Sequence, residues 1–261
     1  MSSKELKKWG PHRHINGDST DPENFKKVMD TDKAKLIFAD PPYCLLTRRN
    51  KKTGALRDAK KAKINHEAVT RYPNVKAYRE FTEKWMSAAI KFLDSNGTFA
   101  IWTNFLGKKP ILETAENLGL FFHSEFIWGK LTKETSGNET NVRVYEVALL
   151  FKNKPYESEI ILPDSAYIPK SVITHYDEEG ETGNFNNHPN HKPFSSLEPI
   201  IRTYSDVGDR ILDPFTGSGS TPAASIKLER VVSGIELREE WAKISQDRLF
   251  KLSSQTMVKS E

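Results

Sequence analysis

Asp40-Pro41-Pro42-Tyr43 follows the short apolar run Lys35 to Ala39, so these four residues should sit at the C-terminal end of a buried strand, where open α/β sheets bind ligands. Two consecutive prolines fix φ and remove two N–H donors, leaving their carbonyls to accept from a ligand. The Asp40 carboxylate beside the Pro41 carbonyl offers an acceptor for each hydrogen of an –NH₂ group. The exocyclic amine of a nucleobase is a poor nucleophile because its lone pair is delocalised into the ring. Two acceptors draw it toward tetrahedral geometry and aim the lone pair at an electrophile. Tyr43 can then stack on a base that has left its helix. The bland alternative is a rigid strand-to-loop turn.

A second turn, Asp213-Pro-Phe-Thr-Gly-Ser-Gly-Ser-Thr221, lies between a strand and a helix, where backbone N–H groups can approach a ligand closely. A phosphate-cradling P-loop would need a lysine after the last glycine, and Gly219 is followed by Ser220. Pro222 at the third glycine position weakens a nicotinamide reading and, with it, a dehydrogenase. A nucleoside cofactor with little or no phosphate remains. Glu236, at the end of the strand Val231 to Ile235, is placed to accept from ribose hydroxyls; otherwise it is a solvated strand-end acid.

These residues need a frame, and the hydrophobic pattern supplies an alternation of strands and helices, which predicts an α/β fold with a mostly parallel sheet. A helix is expected over about Tyr78 to Leu93 and strands over Thr98 to Trp102, Leu120 to Trp128 and Val142 to Phe151. Pro110 should open another helix, and Ser195 with Glu198 has the spacing of a capping box. Then come strand Arg210 to Leu212, helix Pro222 to Leu228, strand Val231 to Ile235 and helix Glu239 to Leu252. Two long segments without a clear period, about 44–77 and 152–191, interrupt this single domain of residues 1–252, and the tail from Ser253 should fray.

Together the two turns resemble the S-adenosylmethionine-dependent amino-methyltransferases of DNA, with DPPY as their catalytic motif and DPFTGSGST as their cofactor motif. Catalytic motif first and cofactor motif last resembles the circularly permuted beta group, which includes cell-cycle adenine methyltransferases and many restriction-modification enzymes. His14-Ile-Asn-Gly-Asp18, Tyr145 to Phe151 and His188-Pro-Asn-His-Lys-Pro193 extend the likeness over most of residues 12 to 250. The resemblance implies a Rossmann-like fold with helices on both faces of the sheet, S-adenosylmethionine as cofactor, double-stranded DNA as substrate and a homodimer. It also implies roles. Asp40 and the Pro41 carbonyl, in the turn that includes Pro42, would bind the target amine, with Tyr43 stacking. Lys192 would pair with the cofactor carboxylate. Asp213, Phe215, Thr216, Gly217, Ser218 and Gly219 would form the cofactor turn, and Glu236 would hold the ribose. Asp18 would hold the adenine end, although Asp18-Ser-Thr-Asp-Pro also reads as a helix N-cap.

Adenine N6 is the expected target because the first motif residue is Asp, where cytosine-N4 enzymes more often carry Ser; cytosine N4 and a catalytically silent DNA-binding relative are the alternatives. Cys44 stands where adenine enzymes often have Asn. It follows Tyr43 rather than Pro and so reads as a buried, inert thiol rather than a carbon-5 nucleophile. As the chain's one cysteine it also excludes a disulfide framework or a multi-cysteine metal site, and the histidines make no convincing metal set.

Length and charge set the outer bounds. At 261 residues, 37% hydrophobic and 28% charged, the chain can bury a sizeable core and is neither mostly disordered nor coiled coil. The net charge of +4 is modest, but Arg48, Arg49, Lys51, Lys52, Arg57, Lys60, Lys61 and Lys63 face one acid, Asp58, in a run starting just beyond Tyr43. Phosphate neutralisation is the natural use of such a run, and a solvated loop is the alternative. Residues 152–191 are the candidate target-recognition segment. No apolar run is long enough for a membrane span and Met1 to Trp9 has no signal-peptide core, so the expected location is the cytosol, on the nucleoid if the source is prokaryotic.

Overall fold

The computed structural model describes residues 5–47, 70–136, 139–154 and 192–258. Its eight strands form one sheet in the order β1-β2-β8-β7-β3-β4-β6-β5. In chain order they are β1 (Leu6–Trp9), β2 (His12–Asn16), β3 (Ala34–Ala39), β4 (Leu93–Thr103), β5 (Phe121–Ser136), β6 (Glu139–Lys152), β7 (Arg210–Asp213) and β8 (Val231–Glu236). The five strands from β2 to β4 in this order are mutually parallel, while β1 and the β5–β6 hairpin extend the two edges antiparallel.

β3 shows how the sheet divides the core. Leu36, Ile37, Phe38 and Ala39 are all fully buried, the mark of a strand covered on both faces. Because successive side chains point to opposite faces, Ile37 and Ala39 join one apolar cluster while Leu36 and Phe38 join another. The first cluster is closed by helices α1 (Pro22–Met29), α2 (Val75–Ala89) and α3 (Phe105–Asn117), through residues such as Phe25, Trp85 and Ile111. The second is closed by α4 (Phe194–Tyr204) and α5 (Ser220–Lys227), and α6 (Glu239–Val258) packs beside α5 through Leu249 and Ile226. Burial of both faces explains why β3 reads as an unbroken apolar run.

Local chemistry places the helix starts, and here the structure departs from several expectations. Asp21 caps α1 by accepting from the Glu23 N–H at 3.0 Å, with Pro22 at the first helical position, so Asp18 is not the cap. Asn104 caps α3 by accepting from the Gly107 N–H at 3.0 Å, which starts that helix upstream of Pro110. Helix α4 begins at Phe194, which puts Ser195 inside the first turn where it cannot cap, and Glu198 pairs instead with Arg202 at 2.7 Å. The expected capping box is therefore absent. The tail expected to fray from Ser253 is helical as far as Val258, and the buried Ser253 hydroxyl donates to the Leu249 carbonyl.

From β3 the chain crosses through α2 to β4 on one side, whereas from β7 it crosses through α5 to β8 on the other. β3 and β7 are neighbours, so their C-terminal ends flank the point where the winding reverses, the place where open α/β sheets leave a crevice.

Candidate active site at the sheet edge

Three strand ends meet at that crevice: Asp40 after β3, the Asp213 to Gly219 turn after β7, and Glu236 closing β8. The glycine turn needs its glycines, since Gly217 and Gly219 take positive φ values of 50° and 87°. Asp213 accepts from the Phe215 N–H at 2.9 Å, and the Phe215 ring is anchored edge-on against Trp85 of α2. Glu236 accepts from the Gly217 N–H at 2.8 Å and from the Arg238 N–H at 2.9 Å, so the β8 carboxylate holds the turn's shape. Burial raises the Glu236 carboxyl above its ordinary value, against those backbone donors. Asp213 is buried, has no Lys or Arg partner among the described residues, and is pushed well up by its burial. Ser218 is buried within the turn, and Thr216 donates its N–H to the Ile235 carbonyl.

Beneath the turn lies His14, fully buried on β2. Its Nε2 is 2.9 Å from Thr216 Oγ1 and its Nδ1 is 3.1 Å from the Gln246 amide of α6. With Gln246 donating to Nδ1, the other ring nitrogen carries the proton and donates to Thr216. Gly234 makes room, since a Cβ there would stand 2.7 Å from the Thr216 methyl and 2.8 Å from the His14 ring. Desolvation pushes the imidazole down to about 3 from 6.5, so it is neutral in the folded chain. Its depressed value gives a stability contribution that is complete above about pH 6.5 and is lost as pH falls toward 3, because the unfolded chain takes up the proton first. Denaturant unfolding at pH 7 and pH 4 should therefore show a loss larger in the wild type than in His14→Gln by on the order of 3 kcal/mol. An equal slope in both proteins would deny the ring this role.

On the other side of the crevice the catalytic turn is tied into a charged cluster. Lys192, just before α4, places its Nζ 2.6 Å from Asp40 Oδ2, 3.3 Å from Glu146 Oε2 of β6 and 3.2 Å from the Tyr43 hydroxyl. The Tyr43 hydroxyl donates to Glu146 at 3.0 Å, and the buried Trp102 ring of β4 lies 5.1 Å from the Lys192 ammonium. Burial alone would lower the lysine, but Asp40 and Glu146 hold it above its ordinary value. Burial raises Asp40 against the pull of Lys192. Lys192, expected on a cofactor carboxylate, thus sits on the catalytic turn in this structure.

Asp18 lies two residues beyond Asn16, the β2 residue that pairs with Glu236, but it is exposed and its carboxylate accepts from the N–H and hydroxyl of Thr20. Cys44 is buried against Tyr72 and Tyr78, and burial raises its thiol. Beyond it, Tyr72 donates its N–H to Leu45 and receives that of Thr47, tying together the two ends of the basic segment. Arg48, Arg49, Lys51, Lys52, Arg57, Lys60, Lys61 and Lys63 lie outside the described residues, as does nearly all of the candidate target-recognition segment. Among the described residues, no group of three His, Cys, Asp or Glu is placed to hold a metal, and no helix is long and apolar enough to cross a membrane.

Glu146 and Trp102 escaped sequence reasoning. A signal existed for Glu146, since a lone acid in the otherwise apolar strand Tyr145 to Phe151 must find a partner if buried. For Trp102 there was none, because an aromatic in a buried strand is ordinary core.

The described fold has counterparts of known structure. The PvuII DNA methyltransferase, described as cytosine-N4-specific, superposes with a TM-score of 0.64 at 14% identity, covering 96% of each chain. M1.HpyAVI, crystallised as its SAM complex, superposes with a TM-score of 0.61 at 21% identity, covering 90% of this chain and 98% of that one. The type II methyltransferase M.HinfI of Haemophilus influenzae is 25% identical over 248 residues, a match that takes in 85% of this chain and 65% of that protein. The chain thus spans just under two thirds of the length of that relative. Residues 34–247 match the family described as DNA methylase. That match runs from β3 through the last strand into α6 and takes in both turns at the crevice, and on it the chain belongs to the DNA methylase family of N6 and N4 methyltransferases.

Proposed function

We propose that the chain transfers a methyl group from S-adenosylmethionine to the N6 amine of adenine in double-stranded DNA, with the target base flipped out of the duplex. The observation that carries this reading is the adjacency of Asp40 and the glycine turn on neighbouring strands, with Glu236 one strand further on. The residues suit the cofactor. Glu236 is a carboxylate at a strand end able to accept from ribose hydroxyls, and two left-handed glycines let backbone approach a ligand. Asp213 is a buried carboxyl without a cationic partner among the described residues, and the ammonium of the methionine portion would supply the partner that its ionised form lacks. SAM in the complex of the similar M1.HpyAVI supports the same cofactor here.

When bound, S-adenosylmethionine supplies an electrophilic methyl group on a sulfonium sulfur. The chain's own residues prepare the other reactant. Asp40 and the Pro41 carbonyl, on a backbone stiffened by Pro42, accept the two amine hydrogens and aim the nitrogen lone pair. Tyr43 offers its ring to the base, which must be unstacked to reach a crevice at a sheet edge. Asp at the first motif position favours adenine; cytosine N4 presents the same –NH₂ geometry and is the second reading, and the neighbour described as cytosine-N4-specific shares the fold. The basic segment beginning at Arg48 leaves beside this turn and would neutralise DNA phosphates.

Nucleosides from the DNA of a methylation-free host expressing the chain should contain N6-methyladenine by mass spectrometry. N4-methylcytosine instead would transfer the same mechanism to the other base, and no modified base would overturn the reading.

A further inference from the structure

Two carboxylates, one ammonium and one phenol share the floor of the crevice. Asp40 is the acceptor that the proposed reaction uses, and Lys192 Nζ holds its Oδ2 at 2.6 Å. The same ammonium is 3.3 Å from Glu146, whose side chain is 11% exposed, and Glu146 also accepts from Tyr43. Charge on the cluster decides what it can do. As the amine nitrogen bonds to the methyl carbon, the sulfur keeps the electrons of the bond that breaks, and positive charge grows on the nitrogen until it loses a proton through Asp40 to water. An Asp40–Lys192 pair alone is neutral and gives that charge no support. With Glu146 the cluster carries one net negative charge.

We infer that Glu146 is a positioning residue: its carboxylate seats the Lys192 ammonium when a target amine takes Asp40, and keeps the cluster net negative during transfer. This rests on the methyltransferase reading given above. Tyr43 and the Trp102 ring complete the seat, at 3.2 Å and 5.1 Å from the ammonium, so Lys192 keeps partners when it leaves Asp40. The exchange requires a small shift between acceptors that already share the cation rather than a rearrangement of the fold.

Glu146→Gln keeps the shape and an acceptor for Tyr43 while removing only the charge. It should lower kcat by about 30-fold at saturating cofactor, and adding Lys192→Met should recover at least about fivefold of that loss, because it empties Asp40 and restores one net negative charge. A purely structural role for Glu146 predicts the opposite order, with the double variant no faster than the single. The binding counterpart needs no turnover. With S-adenosylhomocysteine filling the cofactor site, the wild type should prefer duplex DNA carrying the target adenine over the same duplex carrying purine, which lacks the amine. Glu146→Gln should lose that preference and the double variant should regain it. Glu146→Gln behaving as wild type, or a double variant no better than Glu146→Gln in either measurement, overturns the assignment. A wild type that methylates no base or ignores the amine overturns the reaction reading beneath it.

Discussion

Asp40→Ala should reduce methyl transfer by about a hundredfold to a thousandfold, the scale on which a single preorganised electrostatic contact acts in other active sites, while S-adenosylmethionine affinity changes by less than about twofold. The split follows from position. Asp40 ends β3, whereas the residues suited to the cofactor end β7 and β8, so truncating one strand end leaves the other two intact. The loss should appear in kcat, because the carboxylate gains most as positive charge develops on the amine. Stability should fall little, since Lys192 keeps Glu146 as a counter-ion and is not left buried without a partner. Calorimetry with the cofactor and single-turnover methylation on the same preparation check both halves. Near wild-type transfer by Asp40→Ala would sink the mechanism.

Glu236→Ala should show the reverse, weakening S-adenosylmethionine binding by about 1–3 kcal/mol with a smaller effect on the rate at saturation. Two losses add here. The carboxylate that would accept from the ribose is gone, and the Gly217 N–H it held at 2.8 Å loses its partner inside the turn. Because Gly217 holds a positive φ, the turn's shape depends on such fixing bonds, and a looser turn must be ordered again by the ligand. Glu236→Gln separates the two: its amide oxygen can still accept one backbone N–H, so affinity should fall less than for Ala. Unchanged affinity for both variants would remove Glu236 from the cofactor site.

The sequence by itself determined the local pieces. The run Lys35 to Ala39 ending in Asp-Pro-Pro, and the strand ending in a Gly-Ser-Gly turn, were legible because strand burial and turn chemistry are written in neighbouring residues. Those pieces also place Asp40 and Glu236 at strand ends without further help. Helix starts were less legible. Asn104 and Asp21 are caps only because the chain enters each helix in extended geometry there, and Ser195 with Glu198 had the right spacing two residues too far along.

Only the tertiary structure decided which strand ends meet. β3 and β7 are far apart in the chain, and their pairing comes from burying both faces of the sheet between two helical layers, a property of the whole core rather than of any window. The same holds for the charged cluster. Glu146 reaches the crevice because β6 runs antiparallel beside β4, and Lys192 arrives from the start of α4 on the opposite layer. Which acceptors Lys192 meets in this structure is decided by where the buried carboxylates lie. A buried ammonium goes to the nearest acceptors, and those are fixed by strand order, which spacing along a chain does not encode.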